Sequence, residues 1–310
     1  MFNQKLNQNA YYPIHHDFTK KPLVVTHNGE FHADDVVGSS LLKMVYGDVF
    51  LERTRDLDPI QKADFVLDVG GIFDPMRCRF DHHQKEYRGG LASAGMVLQW
   101  LSEHGKIDAE FAHYLQSIFI TGVDRQDTGE YEPQIGICTF SDMIASFNAS
   151  STETSEVEHL SRFHSAMQFT IAFIERTIVR YQERQKHHGK FYSLLNKRSQ
   201  MPERVLVMEE FIPWKDYIVE EVLCQDILLV IFPHAPTKWI LHTVPISKNA
   251  PYSSRMKLPE SWAGLLEGDF VNACGIVEAI FCHKQRFIAA FKNKEAALQA
   301  AALTIRTEHL

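Results

Sequence analysis

The chain has little cysteine. Five occur in 310 residues (Cys78, Cys138, Cys224, Cys274 and Cys282), and no two have CxxC spacing. An odd, scattered set argues against a disulfide framework and a zinc ribbon. Reduced thiols in a cytoplasmic protein are expected instead. No apolar run is long enough to span a bilayer, so no membrane partner is expected. The polar stretch 1–20 lacks the apolar segment of a signal peptide and reads as a flexible arm. A basic excess is also missing: Lys and Arg number 32 against 39 Asp and Glu, for a net charge of -7. Bulk charge therefore does not attract polyanions, and nucleic acid must be met through a local basic patch or through metals. There is no internal repeat, no low-complexity tract and no G-x-S-x-G elbow, so a serine nucleophile is not indicated.

The length suffices for two cores. In the first half, short β-branched runs alternate with helical patterns, which predicts an α/β domain with a parallel sheet and helices on both faces. Strands are expected at 23–26, 50–54 and 64–69, and helices at 34–46, 93–104 and 109–121. Residues 147–155 are rich in Ser, Thr and Asn and read as a loop. From Glu156 to Arg184, Phe163, Met167, Ile171, Ile174 and Ile178 recur at steps of three or four, as in a long amphipathic helix. That stripe suits a core or the seam of a homodimer. The charged run Lys186–Lys190 and Pro202 place a domain boundary within 185–203. The domains are read as 21–190 and 191–310. The second is a smaller α+β domain with strands at 205–209, 217–220, 226–232, 238–244, 279–283 and 286–290. Helices are expected at 270–273 and 294–305.

Three acidic and histidine clusters stand out, each after an apolar lead. Thr26-His27-Asn28-Gly29-Glu30-Phe31-His32-Ala33-Asp34-Asp35 follows Leu23-Val24-Val25. Asp68-Val69-Gly70-Gly71 follows Phe65-Val66-Leu67, and Asp81-His82-His83 follows Arg79-Phe80. In an open parallel sheet such strand ends converge on one crevice, and Asp34 and Asp35 open a helix at the same edge. Taken singly, each residue has an ordinary explanation. Asp34 could cap its helix, Asp68 could brace the Gly70-Gly71 turn, and His82 could sit in the core. Together they make a ligand inventory for two divalent ions sharing a carboxylate, and the imidazoles favour Mn²⁺ over Mg²⁺. Such a centre serves phosphoryl transfer to water. Asp124 could close the ring, with Asp127 in a structural role. Asp81 could orient His82 or touch metal. Ser93-Ala94-Gly95 opens a helix, and its backbone N–H groups could face an anion. Arg88-Gly89-Gly90 reads as a mobile loop. Arg255 is the best candidate for a phosphate clamp, ahead of Lys257, His283 and Lys284.

Asp81-His82-His83 resembles the signature of the DHH phosphoesterase superfamily. Thr26-His27, Phe31-His32-Ala33-Asp34-Asp35, Arg53-Thr54-Arg55-Asp56, Asp68-Val69-Gly70-Gly71 and Arg79-Phe80-Asp81-His82-His83-Gln84 resemble the melanocyte-proliferating-gene family more closely. The likeness continues through Ser93-Ala94-Gly95, Pro213-Trp214-Lys215, Arg255-Met256-Lys257-Leu258-Pro259-Glu260-Ser261-Trp262-Ala263-Gly264-Leu265 and Phe287-Ile288-Ala289-Ala290. It implies a DHH-type metal domain followed by a DHH-associated substrate domain, and an exonuclease activity on RNA. Carried over by motif, the metal set is His27, Asp34, Asp68, His82 and Asp124, with His32 and Asp35 as further candidates. Asp68 would bridge the ions, and His83 would contact phosphate. Ala289-Ala290 replaces a family pair of glycines, so added methyl groups would narrow a substrate contact. Arg125, Gln126 and Thr128 also depart from the family pattern. The expected partner is single-stranded RNA or a short oligonucleotide. The rival readings are a dinucleotide or other small phosphoester, and a non-catalytic metal-binding regulatory protein.

Overall fold

The computed structural model describes residues 12–132, 134–148, 155–247 and 250–307. Residues 1–11 of the expected arm and most of the loop expected at 147–155 lie outside them. The chain forms two compact units, Met1–Gln182 and Glu183–Leu310.

In the first unit the order is β1 (Leu23–Thr26), α1 (Ala33–Tyr46), β2 (Phe50–Arg53), α2 (Leu57–Lys62), β3 (Phe65–Leu67), β4 (Phe73–Asp74) and β5 (Arg79–Phe80). Then come α3 (Ser93–Glu103), α4 (Ala109–Leu115), a π-helical turn at Gln116–Ile120, α5 (Thr121–Asp127) and α6 (Phe140–Ala145). The sheet order is β2-β1-β3-β5-β4. It is parallel except where the short edge strand β4 runs antiparallel to β5. The period-two alternation of strands divides the side chains between two faces. Val24, Phe65, Leu67 and Phe80 enter the main core with Val37, Leu41 and Val97 of the helices. Val25 and Val66 face a smaller cluster with Ala63 and Ile60 of the α2 region.

One detail of register positions the site. Thr26 pairs with Leu67, and Leu67 pairs with Phe80. The next residues along these three neighbouring strands are His27, Asp68 and Asp81. They therefore stand in one row at the carboxyl edge of the sheet, where ligands bind in open α/β sheets.

The expected arm is docked over its described part. Ile14 is buried and bridges to Ile107, and His16 stacks between Tyr12 and Phe18. An apolar Ile-bearing segment gains more from burial than from solvent.

The long helix α7 runs Glu156–Leu195, past the charged run that was expected to end it. Gly189 weakens a helix by only about 1 kcal/mol, and Phe191 directly after the run is fully buried in a core with Trp214 and Ile218. The division into units falls within this helix, ahead of the expected interval.

The second unit continues with β6 (Val205–Val207), α8 (Lys215–Glu220), β7 (Leu229–Ala235), β8 (Lys238–Thr243), β9 (Pro245–Ser247) and β10 (Ala250–Ser254). It closes with α9 (Glu267–Cys274), β11 (Ala279–Cys282), β12 (Ile288–Phe291) and α10 (Lys294–Thr307). A five-stranded sheet has the order β11-β12-β8-β7-β6, antiparallel except for β6 against β7, and β9 and β10 pair separately. The segment 217–220, expected as a strand, is helical. Trp214 and Ile218 bury one face of that turn in the core, so packing decides over the β-propensity of Tyr-Ile-Val. Ala289 and Ala290 are fully buried in β12, one in each of the cores that flank the sheet. The expectation that their methyl groups meet substrate is corrected: they fill the interior.

Candidate metal centre

Asp68 is the centre of the site. Its backbone φ is +55°, in the left-handed region that Asp tolerates better than most residues. Its N–H still donates to Phe80 O at 3.0 Å, so the turn is tied to the end of β5. The carboxylate is buried, yet neither oxygen has a hydrogen-bond partner. Imidazoles flank both sides. His27 Nε2 lies 3.2 Å and His32 Nδ1 3.9 Å from Oδ2. His83 Nδ1 lies 3.3 Å and His82 Nδ1 3.7 Å from Oδ1.

Ligand-capable atoms gather into groups that meet at Asp68, all within 4.8 Å inside each group. One is His27, His32 and Asp68; another is Asp34, Asp68, His82 and Asp127. These two share Asp68 alone. A third, Asp68 with Asp81, His82 and His83, is largely spent on internal bonds. Asp81 accepts from the N–H of Gly71 at 2.6 Å, from the N–H of His83 at 2.9 Å and from His83 Nδ1 at 2.9 Å. Asp81 thus orients His83, where the sequence suggested His82. Burial works against its charge, but these bonds hold its pKa below the usual carboxylate range.

The donor set fits a divalent cation on an observation independent of family. Five orphaned buried atoms converge here: His27 Nε2, Asp34 Oδ1, both Asp68 oxygens and His82 Nδ1. Buried polar atoms without partners are costly unless something satisfies them. Their other atoms are anchored. His27 Nδ1 bonds Asn28 O at 3.0 Å, His82 Nε2 meets Asp127 Oδ2 at 3.1 Å, and Asp34 Oδ2 accepts the Ser93 N–H at 3.2 Å. Such anchoring fixes a ligand's orientation.

Electrostatics agrees. Burial, then the charges of Asp68 and Asp127, push Asp34 well above its ordinary pKa. For His27, burial opposes the charged form, but the contact with Asp68 and the charge of Asp35 prevail, and its pKa rises. His82 behaves alike through Asp127. Protons held here occupy a place that a cation would take.

Several expected residues do other work. Asp35 sits on the first turn of α1 and is consumed by it. It accepts the His32 N–H at 3.1 Å and the Thr26 hydroxyl at 2.9 Å. Burial raises its pKa to about 6. Asp124 belongs to none of the ligand groups found among the described residues. Its buried carboxylate accepts the N–H of Ala92 at 3.2 Å, the N–H of Gly95 at 3.0 Å and Gln116 Nε2 at 3.2 Å. Burial raises its pKa, too, to about 6. A Cβ on Gly95 would collide with it. The anion expected at the Ser93–Gly95 helix start is therefore internal: Asp34 and Asp124 occupy it. Ser93 Oγ also donates to Phe80 O, so Ser93 and Gly95 serve as anchors. Asp127, three residues after Asp124, falls within a ligand-capable group instead. Its pKa is lowered because the His82 bond outweighs burial.

In the second unit, Arg255 is not presented as a phosphate clamp. Its guanidinium donates to the carbonyls of Cys224 (2.5 Å), Ile227 (3.0 Å) and Ile218 (3.2 Å). His283 sits in the β11–β12 turn, where Nδ1 accepts the Gln285 N–H at 3.1 Å and the ring lies tilted against that of Phe287, centroids 4.5 Å apart. Asp127, read in the sequence as structural, joins a ligand-capable group, and Arg55, quoted there only within a motif, lines the hollow with His27, His32, Asp68, Val69, Gly70, Gly71, Asp81 and His83. The Asp-x-x-Asp spacing of 124 and 127 was the available signal.

Fold and site together define a mixed α/β protein with a carboxylate–imidazole cluster able to hold metal at the carboxyl edge of a parallel sheet. The chain belongs to the family described as MYG1_exonuc, Uncharacterised protein family (UPF0160), whose model matches residues 23–305. It is 33% identical over 286 residues to a MYG1 protein of Chlamydia pneumoniae, covering 91% of this chain and 96% of that relative. A MYG1 protein of Chlamydia muridarum is 32% identical over 289 residues, 92% of this chain and 97% of the relative. The human protein named MYG1 exonuclease is 28% identical over 328 residues, 92% of this chain and 86% of the relative. No solved structure matches the chain.

Proposed function

We propose that this chain is a divalent-metal-dependent phosphoesterase of DHH type that hydrolyses phosphodiester bonds in single-stranded RNA or short oligonucleotides. The observation that carries the reading is the Asp68 carboxylate: buried, unbonded at both oxygens, and common to two otherwise separate ligand groups. His27, His32 and Asp68 would hold one Mn²⁺ or Mg²⁺, and Asp34, Asp68, His82 and Asp127 the other. Bound cations supply Lewis acidity, drawing charge from phosphate oxygens and acidifying water.

The chain's own residues do the positioning. Asp81 holds His83 through Nδ1, which leaves Nε2 of a largely exposed ring for a phosphate oxygen or a proton. Asp34 and Asp127 are tethered to Ser93 and His82 respectively, so the ligand set is fixed before substrate arrives. Relatives named MYG1 exonuclease in human, rat and cattle support a nucleic-acid substrate. A second reading, a dinucleotide or other small phosphoester, is favoured by the acidic balance of the chain, a net charge of -7, which gives a long polyanion no bulk attraction.

The test is hydrolysis of end-labelled single-stranded RNA and of dinucleotides by the purified protein with Mn²⁺, Mg²⁺ or a chelator. Metal-dependent cleavage that disappears in Asp68→Ala is expected. Equal activity in that variant removes the proposed chemistry. Cleavage confined to dinucleotides selects the second reading.

A further inference from the structure

The substrate of this centre is an anion, and the centre itself is crowded with carboxylates. Asp34, Asp35, Asp68 and Asp81 are all buried within it, and Asp127 is half-buried. Even with cations bound, a phosphoester needs a fixed positive group on its own side of the hollow. The sequence pointed to Arg255, whose fork is occupied by three carbonyls. We infer that Arg55 is the phosphate-binding arginine of this centre, an assignment that rests on the metal-dependent reading above.

Four observations carry it. Among the described residues that line the hollow, Arg55 is the only one with a permanent positive charge. Its side chain is exposed and makes no hydrogen bond or ion pair with any described residue. The neighbouring Arg53 is half-buried and does not line the hollow. Arg53 donates to Gly29 O at 3.0 Å and lies 5.2 Å over the ring of Phe31 and 4.8 Å over that of Phe163, so its role is to brace the loop between His27 and His32.

The fourth observation is the backbone under Arg55. Thr26 pairs with Arg53 in register, and the Thr54 N–H donates to Thr26 O at 2.8 Å, which carries the ladder one step past β2. Thr54 thus stands level with His27, and Arg55 follows directly. On its other side, the Asp56 N–H donates to Thr54 Oγ1 at 3.0 Å, and α2 begins directly after Asp56. A pinned backbone with an unpaired guanidinium at the rim is poised for a ligand. The planar fork matches two oxygens of one phosphoryl group, which a lysine at the same place would not. The ligand class is therefore a phosphate monoester or diester, held by Arg55 from the β2 side while His83 faces it from the β5 side.

The experiment uses the full chain loaded with Mn²⁺ and inorganic phosphate as the probe. Phosphate binding is measured by calorimetry, and Mn²⁺ binding separately by electron paramagnetic resonance. Arg55→Ala should weaken phosphate about 10- to 100-fold, the usual range for a lost charged hydrogen bond. Arg55→Lys should fall between it and the parent chain, and both variants should bind Mn²⁺ like the parent. Parent-like phosphate affinity in Arg55→Ala overturns the inference and leaves the metal reading standing. Loss of phosphate that tracks an equal loss of Mn²⁺ also overturns it, since Arg55 would then act through the metal ligands. A parent chain that binds no Mn²⁺ removes the metal reading, and this inference with it. The position is exposed and unbonded, so both variants should fold, which circular dichroism checks.

Discussion

Replacing Asp68 by Asn separates stability from metal binding, and the two should move in opposite directions. The carboxylate shares a ligand-capable group with Asp34, His82 and Asp127, whose ligand atoms lie within 4.8 Å of one another. Two full charges at that distance repel by about 3 kcal/mol at an effective dielectric near 20. Proton uptake already relieves part of this, because burial and then the charge of Asp68 hold the pKa of Asp34 well up. A gain of about 1–3 kcal/mol for metal-free Asp68→Asn is therefore expected. Asn fits the left-handed backbone at φ +55° at least as well as Asp, and what it surrenders is the charge contact with His27 Nε2 at 3.2 Å. With Mn²⁺ the order reverses. One site filled at about 1,000 times Kd stabilises the parent chain by about 4 kcal/mol. For a unit of this size that is a rise in Tm of about 8–16 °C. The variant should gain little. The assay is thermal unfolding of both proteins with chelator and across a Mn²⁺ titration. Equal Mn²⁺-induced shifts in the two proteins, or a metal-free variant less stable than the parent by several kcal/mol, would refute the reasoning.

Three further outcomes follow from the geometry. Asp127→Asn should lower Mn²⁺ affinity by more than the roughly 10–100-fold typical of a residue that only orients a ligand, whereas Asp124→Asn should cost no more than that; metal titration with equal losses in both would reject the assignment. Arg255→Ala should destabilise the second unit by about 2–4 kcal/mol, because three carbonyls lose their donor, while Mn²⁺ binding stays unchanged. Urea unfolding and the same titration read the two effects. The third concerns pH. Burial holds His242 down to about 4 against an ordinary 6.5. Between those values the unfolded chain binds a proton that the folded chain does not. His242 therefore costs no stability above about 6.5 and costs progressively more as pH falls toward 4, in total about 3 kcal/mol. Urea midpoints at pH 7 and pH 4.5 should differ by less in His242→Asn than in the parent chain; the same difference in both would exclude His242 as the cause.

What could be read in advance depended on whether the information was local. Leu23–Thr26 and Phe65–Leu67 announce themselves as apolar runs with polar residues directly after them, and the sheet places them where expected. His27, His32, Asp34, Asp68 and His82 all meet in space. The choice between Asp124 and Asp127 was not local. Both lie on α5, three residues apart, and only the neighbours each meets tell them apart: the N–H groups of Ala92 and Gly95 for Asp124, the imidazole of His82 for Asp127. Arg255 was misleading for a related reason: a guanidinium satisfies stray carbonyls as readily as phosphate, and only the loops around Cys224 and Ile227 decide which. The helix across Lys186–Lys190 and the helical turn at Lys215–Glu220 were missed because long-range packing outranks composition there.

The backbone at Asp68 also restricts what the position can become. Glutamate carries the same charge, but there it would bear the cost of a left-handed conformation, about 1–2 kcal/mol, and would carry its oxygens one methylene further into the imidazoles. Alanine or valine would meet the same steric cost while contributing no ligand. Glycine and asparagine suit the turn but surrender the charge. Shape and chemistry therefore narrow this site independently, and aspartate is the residue type that satisfies both demands.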